Sequence, residues 1–345
     1  MKGILVETFE PPTQLLAKHL QLPELTPGEV HVSMHSAAVN FACALMAMGG
    51  YQVKPRLPFV PGIEGAGTIM AIGDSVTDFS VGDRVFVMGF IGESRTDRTL
   101  VGSWAEECVV PITNLALIPS GMPFETAALF RTVYETSYFA LQLAQIKKND
   151  VLLVLGAGGA TGRAAIEIAR SKGAFIIASA STNRKREIAL DAGANVTIDS
   201  RADDWRTSIR HASPHRPINV VFDPIGGEKT ELALRSLGWG GKHLMIGFAA
   251  GHIPSLPTNL PLMKGASLLG VNYLGFLENE PEAASANFAE LLELYKNGAI
   301  SDPVIDRTCY LEELEETSKS VLNGEIQGRA LLRFEDHPGS RTLDS

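Results

Sequence analysis

The sequence predicts a two-part α/β protein, in which a small β domain precedes a parallel sheet covered by helices on both faces. Up to about residue 120, short apolar runs are separated by Gly, Pro and Asp, a pattern typical of a barrel-like β domain. Beyond Phe124, apolar runs alternate with segments of helical period, which indicates strand–helix–strand units and a doubly wound parallel sheet.

The strands of the first part follow from alternation and turn residues. Residues 28–39 alternate between apolar and polar side chains, which predicts a strand with one buried face. Further short strands are predicted, in chain order, at 67–73, 83–89, 104–110 and 115–119. The long polar segment Gly89–Gly102 is interpreted as a loop at the border of a substrate cleft.

The second part begins with a predicted helix over Glu125–Ile146. Strands are then expected at 151–155, 174–179, 195–199, 218–223 and 242–248, with helices over 162–171, 184–192, 205–211 and 229–237. The chain ends with a strand candidate at 266–275, a helix over 282–298 and a strand at 329–334.

Composition excludes several classes of function. The net charge is −9 over 345 residues and no basic block occurs, which argues against nucleic acid or an anionic membrane as a partner. Three scattered cysteines do not make a disulfide framework or a four-cysteine zinc site. No signal peptide or apolar membrane span is recognisable, so we expect a cytoplasmic enzyme with a small-molecule substrate.

A glycine-rich turn lies between the strand VLLVL and the next helix, with the spacing Gly156-x-x-Gly159-x-x-Gly162. Glycines permit a sharp bend and let backbone N–H groups approach a pyrophosphate at the helix N-terminus. Such turns also occur for packing alone, but the second strand that follows favours a dinucleotide site. Its predicted residues are Gly156, Ala157, Gly158, Gly159, Ala160, Thr161 and Gly162.

The acidic residue typical of NAD sites is missing after that second strand. Residues 179–185 read SASTNRK, with hydroxyls and two cations where a carboxylate would accept the ribose 2′-OH. These groups suit a 2′-phosphate, so the sequence predicts NADPH rather than NADH. The alternative is that Arg184 and Lys185 only lie on a solvated helix start.

A set of short motifs resembles the medium-chain dehydrogenase/reductase superfamily, and within it the zinc-free, zeta-crystallin-like NADPH:quinone oxidoreductases. The matching stretches are AAVN at 37–40, GGYQVKPRLPFVPGIEGAG at 49–67, GDRVF at 82–86, TSYFAL at 136–141, GAGGATG at 156–162, VFDPIGG at 221–227, GGKHLMIGFAAG at 240–251 and QGRALL at 327–332. The resemblance implies a GroES-like β-barrel catalytic domain over 1–125, completed by 271–345, and a Rossmann domain over 126–270. It also implies a homodimer, joined through the strand candidate at 266–275.

The resemblance implies roles for individual residues. Zinc enzymes of the superfamily carry Cys where this chain has Asn40 and His where it has Ile63, so no catalytic metal is expected. Asn40 and Thr136 are expected to contact the nicotinamide, and Ser181 and Lys185 the 2′-phosphate. The remaining candidates are Phe248 and Ala249 near the nicotinamide ribose, Arg329 near the phosphates and Tyr51 as substrate contact or proton donor.

Some residues leave alternatives open. Tyr51 is equally compatible with a loop tyrosine packed on nearby prolines. Glu64 lies between glycines before an apolar strand, and a cation such as Arg84 is the expected partner. Relatives often have a tyrosine at the adenosine where this chain has Ser200. Arg131 would favour an acidic substrate if it faced the cleft, although a solvent-facing orientation is the preferred interpretation.

Three functions remain compatible with these observations. The leading hypothesis is NADPH-dependent hydride transfer to quinones or other conjugated carbonyls without zinc. The second is an enoyl-thioester or enone reductase of narrower specificity, which Arg131 in the cleft would favour. The third is a non-catalytic NADPH-binding protein, which an impaired cofactor loop would favour; the loop here is intact.

Overall fold

A computed structural model describes residues 1–10, 14–51, 54–88, 102–213 and 216–334. The chain divides into two compact units, Met1–Thr132 with Asp302–Ser345, and Val133–Ser301. The first is built on a mainly antiparallel sheet and the second on a parallel one, so the predicted α/β fold class is confirmed. The loop predicted at Gly89–Gly102 lies, apart from Gly102, outside the described residues.

The first unit is formed mainly by short strands. These are β1 Lys2–Ile4, β2 Ala17–His19, β3 Glu29–Val39, β4 Glu64–Ile72, β5 Arg84–Met88, β6 Glu107–Pro111, β7 Leu115–Leu117, β14 Ile305–Cys309 and β15 Arg329–Arg333. Its helices are α1 Phe41–Ala47, α2 Phe124–Ala128 and α11 Leu314–Leu322. Short 3₁₀ turns cover Ile112–Asn114 and Leu311–Glu313.

The long strand β3 is the centre of the first unit. It pairs antiparallel with β4, β6 and β15, and the path β14-β15-β3-β4-β5-β7 completes the sheet formed by the described residues. The predicted alternation holds, because Val30, Val32 and Met34 are buried in the core of this unit. The chain from Asp302 onward therefore completes the first unit by adding β15 beside β3.

The second unit alternates strands and helices. Its strands are β8 Val151–Leu155, β9 Phe175–Ala180, β10 Val196–Asp199, β11 Ile218–Asp223, β12 Leu237–Met245 and β13 Ser267–Gly270. Its helices are α3 Arg131–Ala144, α4 Ala160–Ser171, α5 Asn183–Asp191, α6 Trp205–Ala212, α7 Glu228–Ser236, α8 Asn259–Lys264, α9 Tyr273–Asn279 and α10 Pro281–Lys296. The first two residues of α3 are counted with the first unit.

The strands of the second unit pair in parallel in the order β10-β9-β8-β11-β12-β13. This is the Rossmann order, in which the direction of winding reverses at the first strand of the unit, β8. Ligands of such sheets bind at the carboxyl ends of the strands beside that reversal. The sheet therefore brings the turns after β8, β9 and β11 to one edge of the unit.

Several sequence-based boundaries differ from the structure, and three of the differences change the description of the fold. The helix predicted over Glu125–Ile146 is two helices, α2 and α3, separated by a turn at Leu129 and Phe130, where Leu129 ends α2 with a φ of −113°; both residues are fully buried. The strand predicted at 266–275 ends at Gly270, and α9 follows it. Residues 271–301, which the sequence analysis placed with the first domain, lie in the second unit, where the ring of Phe276 stacks on Phe139 at 4.1 Å.

Candidate functional site

The turn after β8 is shaped by glycines that have no room for a side chain. Gly156 has a φ of 59°, in the left-handed region that favours glycine. A Cβ on Gly162 would lie 2.4 Å from the carbonyl oxygen of Gly156 and 2.8 Å from the Cα of Ala157. The first turn of α4 is therefore packed directly on the backbone of the preceding turn, as the glycine spacing predicts.

The N-terminus of α4 has no side-chain cap. Gly159 is its N-cap, with a φ of −85° and no hydrogen bond from a capping side chain. The first N–H groups of a helix have no acceptor inside the helix, and the helix dipole makes this end partially positive. Gly159 is exposed, and a Cβ there would meet only the carbonyl oxygen of Gly156 at 3.2 Å. This end of α4 is thus open to an anion.

Gly158 serves a different purpose from its neighbours. A Cβ on Gly158 would lie 2.4 Å from the Cβ of Lys185 and 2.8 Å from its Cα. Gly158 is buried, and the first turn of α5 packs on it. The sequence indicated glycine at this position for the approach of a phosphate, whereas the structure shows an additional contact between the turn after β8 and the turn after β9.

Several polar side chains at the end of β9 and in the turn after it already have partners within the protein. The hydroxyl of Thr182 caps α5 by accepting from the N–H of Lys185 at 3.2 Å. The Ser179 hydroxyl is buried and accepts from the indole N–H of Trp205 at 2.8 Å. Arg184 is exposed and lies 3.5 Å from Glu187, which fits the alternative of a solvated helix start for this one residue. Ser181 and Lys185 remain the candidates for a 2′-phosphate.

The turns after β11 and β12 lie against each other. The N–H of Ala249 donates to the carbonyl oxygen of Pro224 at 3.3 Å, and the N–H of Ala250 donates to that of Ile225 at 2.9 Å. Phe248 is partly exposed at 39%. The sequence analysis selected Phe248 and Ala249 in this region and overlooked Asp223, a fully buried carboxylate at the end of β11.

The first unit contains a buried ion pair between Arg329 and Glu64, both of which the sequence analysis singled out. Arg329 donates through Nη2 to Oε1 of Glu64 at 2.7 Å, and both side chains are almost completely buried. Asn40 caps α1 by accepting from the N–H of Cys43 at 2.8 Å, and its Nδ2 lies 3.4 Å from Oε1 of Glu64. The second oxygen of Glu64 accepts from the N–H of Thr132 at 2.9 Å.

The expected pairing of Glu64 with Arg84 is wrong. Arg84 donates instead to the carbonyl oxygen of Met122 at 2.6 Å, and its guanidinium lies over the ring of Phe124 at 4.3 Å. Arg329 takes the place of Arg84 because β15 pairs with β3, which brings a residue from the end of the chain beside β4.

Tyr51 and Thr136 keep their predicted roles as hypotheses. Tyr51 is partly buried against the core of the first unit, and burial raises the pKa of its hydroxyl. Thr136 lies on α3 and is partly buried. Tyr134 on the same helix is buried, and its hydroxyl donates to the carboxylate of Glu167 at 2.6 Å. Tyr134 therefore connects α3 to α4.

Around Asn40 and Ile63, the side chains are those of a packed core. Ile63 is 1% exposed, and its N–H donates to the buried sulfur of Cys43 at 3.2 Å. Burial raises the pKa of the Cys43 thiol far above its usual range. Among the residues that the structure describes, no group of three or more His, Cys, Asp or Glu side chains is placed to hold a metal ion.

Comparison with known protein families assigns both parts of the chain. Residues 26–120 match the model described as the alcohol dehydrogenase GroES-like domain. Residues 160–295 match the model described as zinc-binding dehydrogenase.

Curated relatives match nearly the whole chain. Quinone oxidoreductase-like protein 2 homolog of Nematostella vectensis is 32% identical over 89% of this chain and 82% of its own length. Quinone oxidoreductase-like protein 2 of Bos taurus is 32% identical over 92% of this chain and 90% of its own. A mycobacterial protein whose structure was solved in complex with NADPH superposes with a TM-score of 0.85 at 25% identity, covering 97% of this chain and all of that one. In the described part of the chain, no helix combines the length and apolar character needed to cross a membrane.

Proposed function

The chain belongs to the medium-chain dehydrogenase/reductase superfamily, among its quinone oxidoreductase-like proteins, and on that premise we propose that it is an NADPH-dependent reductase of quinones or other conjugated carbonyls that works without zinc. The observation that carries this proposal is the turn over 156–162, whose open helix N-terminus has no side-chain cap. The mycobacterial neighbour solved with NADPH supports the choice of cofactor.

The residues of the turn fit a dinucleotide. Gly159 leaves space beside the amides of α4, and Gly162 keeps that helix close to the turn. We assign the pyrophosphate to residues 156–162 and the 2′-phosphate to Ser181 and Lys185, because Lys185 carries a cation and no carboxylate occupies the end of β9. Asn40, Thr136, Phe248, Ala249 and Arg329 stay in the proposed cofactor set on the strength of the resemblance.

The donor set at the position of the superfamily's zinc argues against a metal. The amide of Asn40 is engaged in capping α1 and in contacting Glu64, and Ile63 offers no ligand atom. Cys43 is buried with a strongly raised pKa, so its thiolate is disfavoured. The family model whose description mentions zinc covers residues 160–295, which include neither Asn40 nor Ile63.

A conjugated acceptor needs little assistance from the protein. Bound NADPH supplies the hydride, and the acceptor delocalises the charge that develops on its oxygen. The protein contributes orientation, exclusion of water and a hydrogen bond to that oxygen. We assign this hydrogen bond to Tyr51 on the strength of the resemblance, and a protonated hydroxyl, which burial of Tyr51 favours by raising its pKa, is the form that can donate.

Turnover measurements test this proposal. Purified protein is mixed with NADPH and 1,4-naphthoquinone, and NADPH oxidation is followed at 340 nm with and without EDTA. We expect turnover that the chelator does not change, with Tyr51→Phe at least tenfold slower. Turnover that EDTA abolishes, or NADPH binding without reduction of any quinone, enone or enoyl-CoA, would overturn the proposal. Relative rates on quinones, enones and enoyl-CoA separate the broad reductase from the narrower enoyl-thioester reductase.

We further propose that the protein acts as a cytoplasmic homodimer. The edge of β13 opposite β12 has no neighbouring strand among the described residues. Large apolar side chains are exposed nearby, with Trp239 at 84%, Leu262 at 81% and Met263 at 73%. An apolar surface beside an unpaired strand edge suits association with a second copy. The three cysteines are free and buried, which fits a reducing compartment.

A further inference from the structure

We infer that Asp223 and His243, a buried pair in the second unit, are positioning residues for the pyrophosphate and nicotinamide part of the cofactor site. This inference rests on the proposed function and deepens it. The turn that these two residues hold comprises Pro224, Ile225, Gly226 and Gly227 and is called the support turn below.

Asp223 organises the support turn by accepting hydrogen bonds with both carboxylate oxygens. Oδ1 accepts from the N–H groups of Ile225 at 3.0 Å and Gly226 at 2.8 Å. Oδ2 accepts from the hydroxyl of Thr230 at 2.8 Å and from Nε2 of His243 at 3.1 Å. The carboxylate is fully buried at the end of β11, so these four donors replace the water that it loses.

His243 connects the support turn to the next strand. It lies on β12 and is fully buried, and its Nε2 carries the proton because a carboxylate only accepts. Its Nδ1 is buried with no hydrogen-bond partner among the described residues. A buried polar atom without a partner is costly. The hydrogen bond from His243 joins β12 to the carboxylate that holds the support turn.

The support turn lies between the two other turns of the candidate site. A Cβ on Gly156 would meet Cδ1 of Ile225 at 2.6 Å, so the turn after β8 rests directly on Ile225. A Cβ on Gly226 would meet Cδ1 of Phe248 at 2.8 Å, so the turn after β12 approaches the other side. Gly226 has a φ of 69°, so its contact with Phe248 depends on a backbone conformation that Asp223 stabilises by accepting from the N–H of Gly226.

Asp223 itself is too deeply buried to contact substrate or cofactor. Burial opposes ionisation, but the hydrogen bonds from His243, Gly226 and Thr230 outweigh it, and the pKa of Asp223 lies below its usual range. Asp223→Asn keeps the shape and removes the charge. An amide has one acceptor oxygen and one donor NH₂, so it cannot accept both from the N–H groups of the support turn and from Thr230 and His243.

The test compares a whole cofactor with a fragment of it. NADPH needs the turns after β8, β11 and β12, whereas 2′,5′-ADP needs chiefly Ser181, Lys185 and the adjacent end of the turn after β8. We expect Asp223→Asn to raise the Kd of NADPH at least tenfold, measured by calorimetry, and the Kd of 2′,5′-ADP less than twofold. His243→Gln retains a donor and is expected to lose less than His243→Leu. Asp191→Asn, on the exposed end of α5, is the control and should bind both as the wild type does.

Each outcome decides the inference. Unchanged NADPH binding by Asp223→Asn would overturn it, and so would an equal loss of NADPH and 2′,5′-ADP, because a general loss of structure would explain that result. If Asp223→Asn does not fold, Thr230→Val removes a single donor and carries the same comparison. Wild-type protein that binds neither ligand would refute the proposed function instead, so the two failures are distinguishable.

Discussion

Two glycines in the same turn are expected to respond differently to alanine. In Gly162→Ala the new methyl would lie 2.4 Å from the carbonyl oxygen of Gly156, and the neighbouring atoms are backbone. The helix and the turn must therefore separate, and overpacking of this kind costs about 1–3 kcal/mol. We expect this variant to lose both stability and NADPH affinity.

Gly159→Ala is expected to fold normally. Its φ of −85° is ordinary for alanine, and the only near contact of the new Cβ is the carbonyl oxygen of Gly156 at 3.2 Å. Alanine is a poorer N-cap than glycine, but it stabilises the folded state by about 0.4–1 kcal/mol because it lowers the conformational entropy of the unfolded chain. These terms have opposite signs, so we expect the free energy of unfolding to change by less than about 1 kcal/mol.

Measuring NADPH affinity together with stability distinguishes a direct effect on cofactor binding from an effect on packing. The methyl of Gly159→Ala occupies the space from which a phosphate would approach the amides of α4. We expect its Kd for NADPH to rise at least tenfold, which equals about 1.4 kcal/mol. Urea unfolding measures stability and quenching of NADPH fluorescence measures binding. Gly270→Ala is the control, because its Cβ would meet nothing within 4 Å.

The result that would refute this reasoning is specific. If Gly159→Ala binds NADPH as tightly as the wild type, no phosphate lies against the N-terminus of α4. The assignment of residues 156–162 would then fail, even if the enzyme uses NADPH at another place.

Four further outcomes are expected. Lys185→Ala should raise the Kd of NADPH about tenfold and leave that of NADH within twofold, and equal losses for both would contradict the assigned 2′-phosphate contact. Arg329→Met should lower the free energy of unfolding by about 3–5 kcal/mol, because Glu64 is left buried without its cation. Adding Glu64→Gln to this variant should restore part of that free energy. If urea unfolding shows that the losses of the two single variants simply add in the double variant, the two residues do not stabilise each other. Trp239→Glu should convert a dimer into a monomer in light scattering, and an unchanged mass would reject the proposed interface. The pKa of Asp223 is lowered in the folded protein, so its stabilising contribution is present above the unfolded pKa and is lost as the pH falls through the folded pKa. The loss of stability caused by Asp223→Asn should therefore become smaller below about pH 4. A loss that stays constant with pH would contradict this expectation.

Sequence reasoning succeeded where the signal was local. The turn over 156–162 was predicted with its strand and helix, because the glycine spacing and the two apolar runs lie within one short segment. The alternation of strands and helices from β8 to β12 followed for the same reason. The ends of individual helices and strands were less predictable. The break between α2 and α3, for example, falls at Leu129 and Phe130, two apolar residues that fit a helical pattern as well as the residues around them.

Long-range partners were not accessible to the same reasoning. Glu64 and Arg329 are 265 positions apart, and only the pairing of β15 with β3 brings them together. Asp223 was overlooked because an aspartate before Pro and Gly is an ordinary turn signal. Its importance depends on His243, which lies 20 residues further along the chain. The purpose of Gly158 was equally hidden, since Lys185 approaches it through tertiary packing.

The contact between Gly158 and Lys185 has a consequence for changing the coenzyme preference of this protein. Lys185, which we propose to contact the 2′-phosphate, packs against Gly158 in the turn that we propose for the pyrophosphate. Replacing side chains at 181 and 185 is therefore compatible with the fold, whereas inserting or deleting residues there would displace the turn over 156–162 that packs against Lys185. Natural or engineered switches of preference at this place should proceed by substitution at constant length.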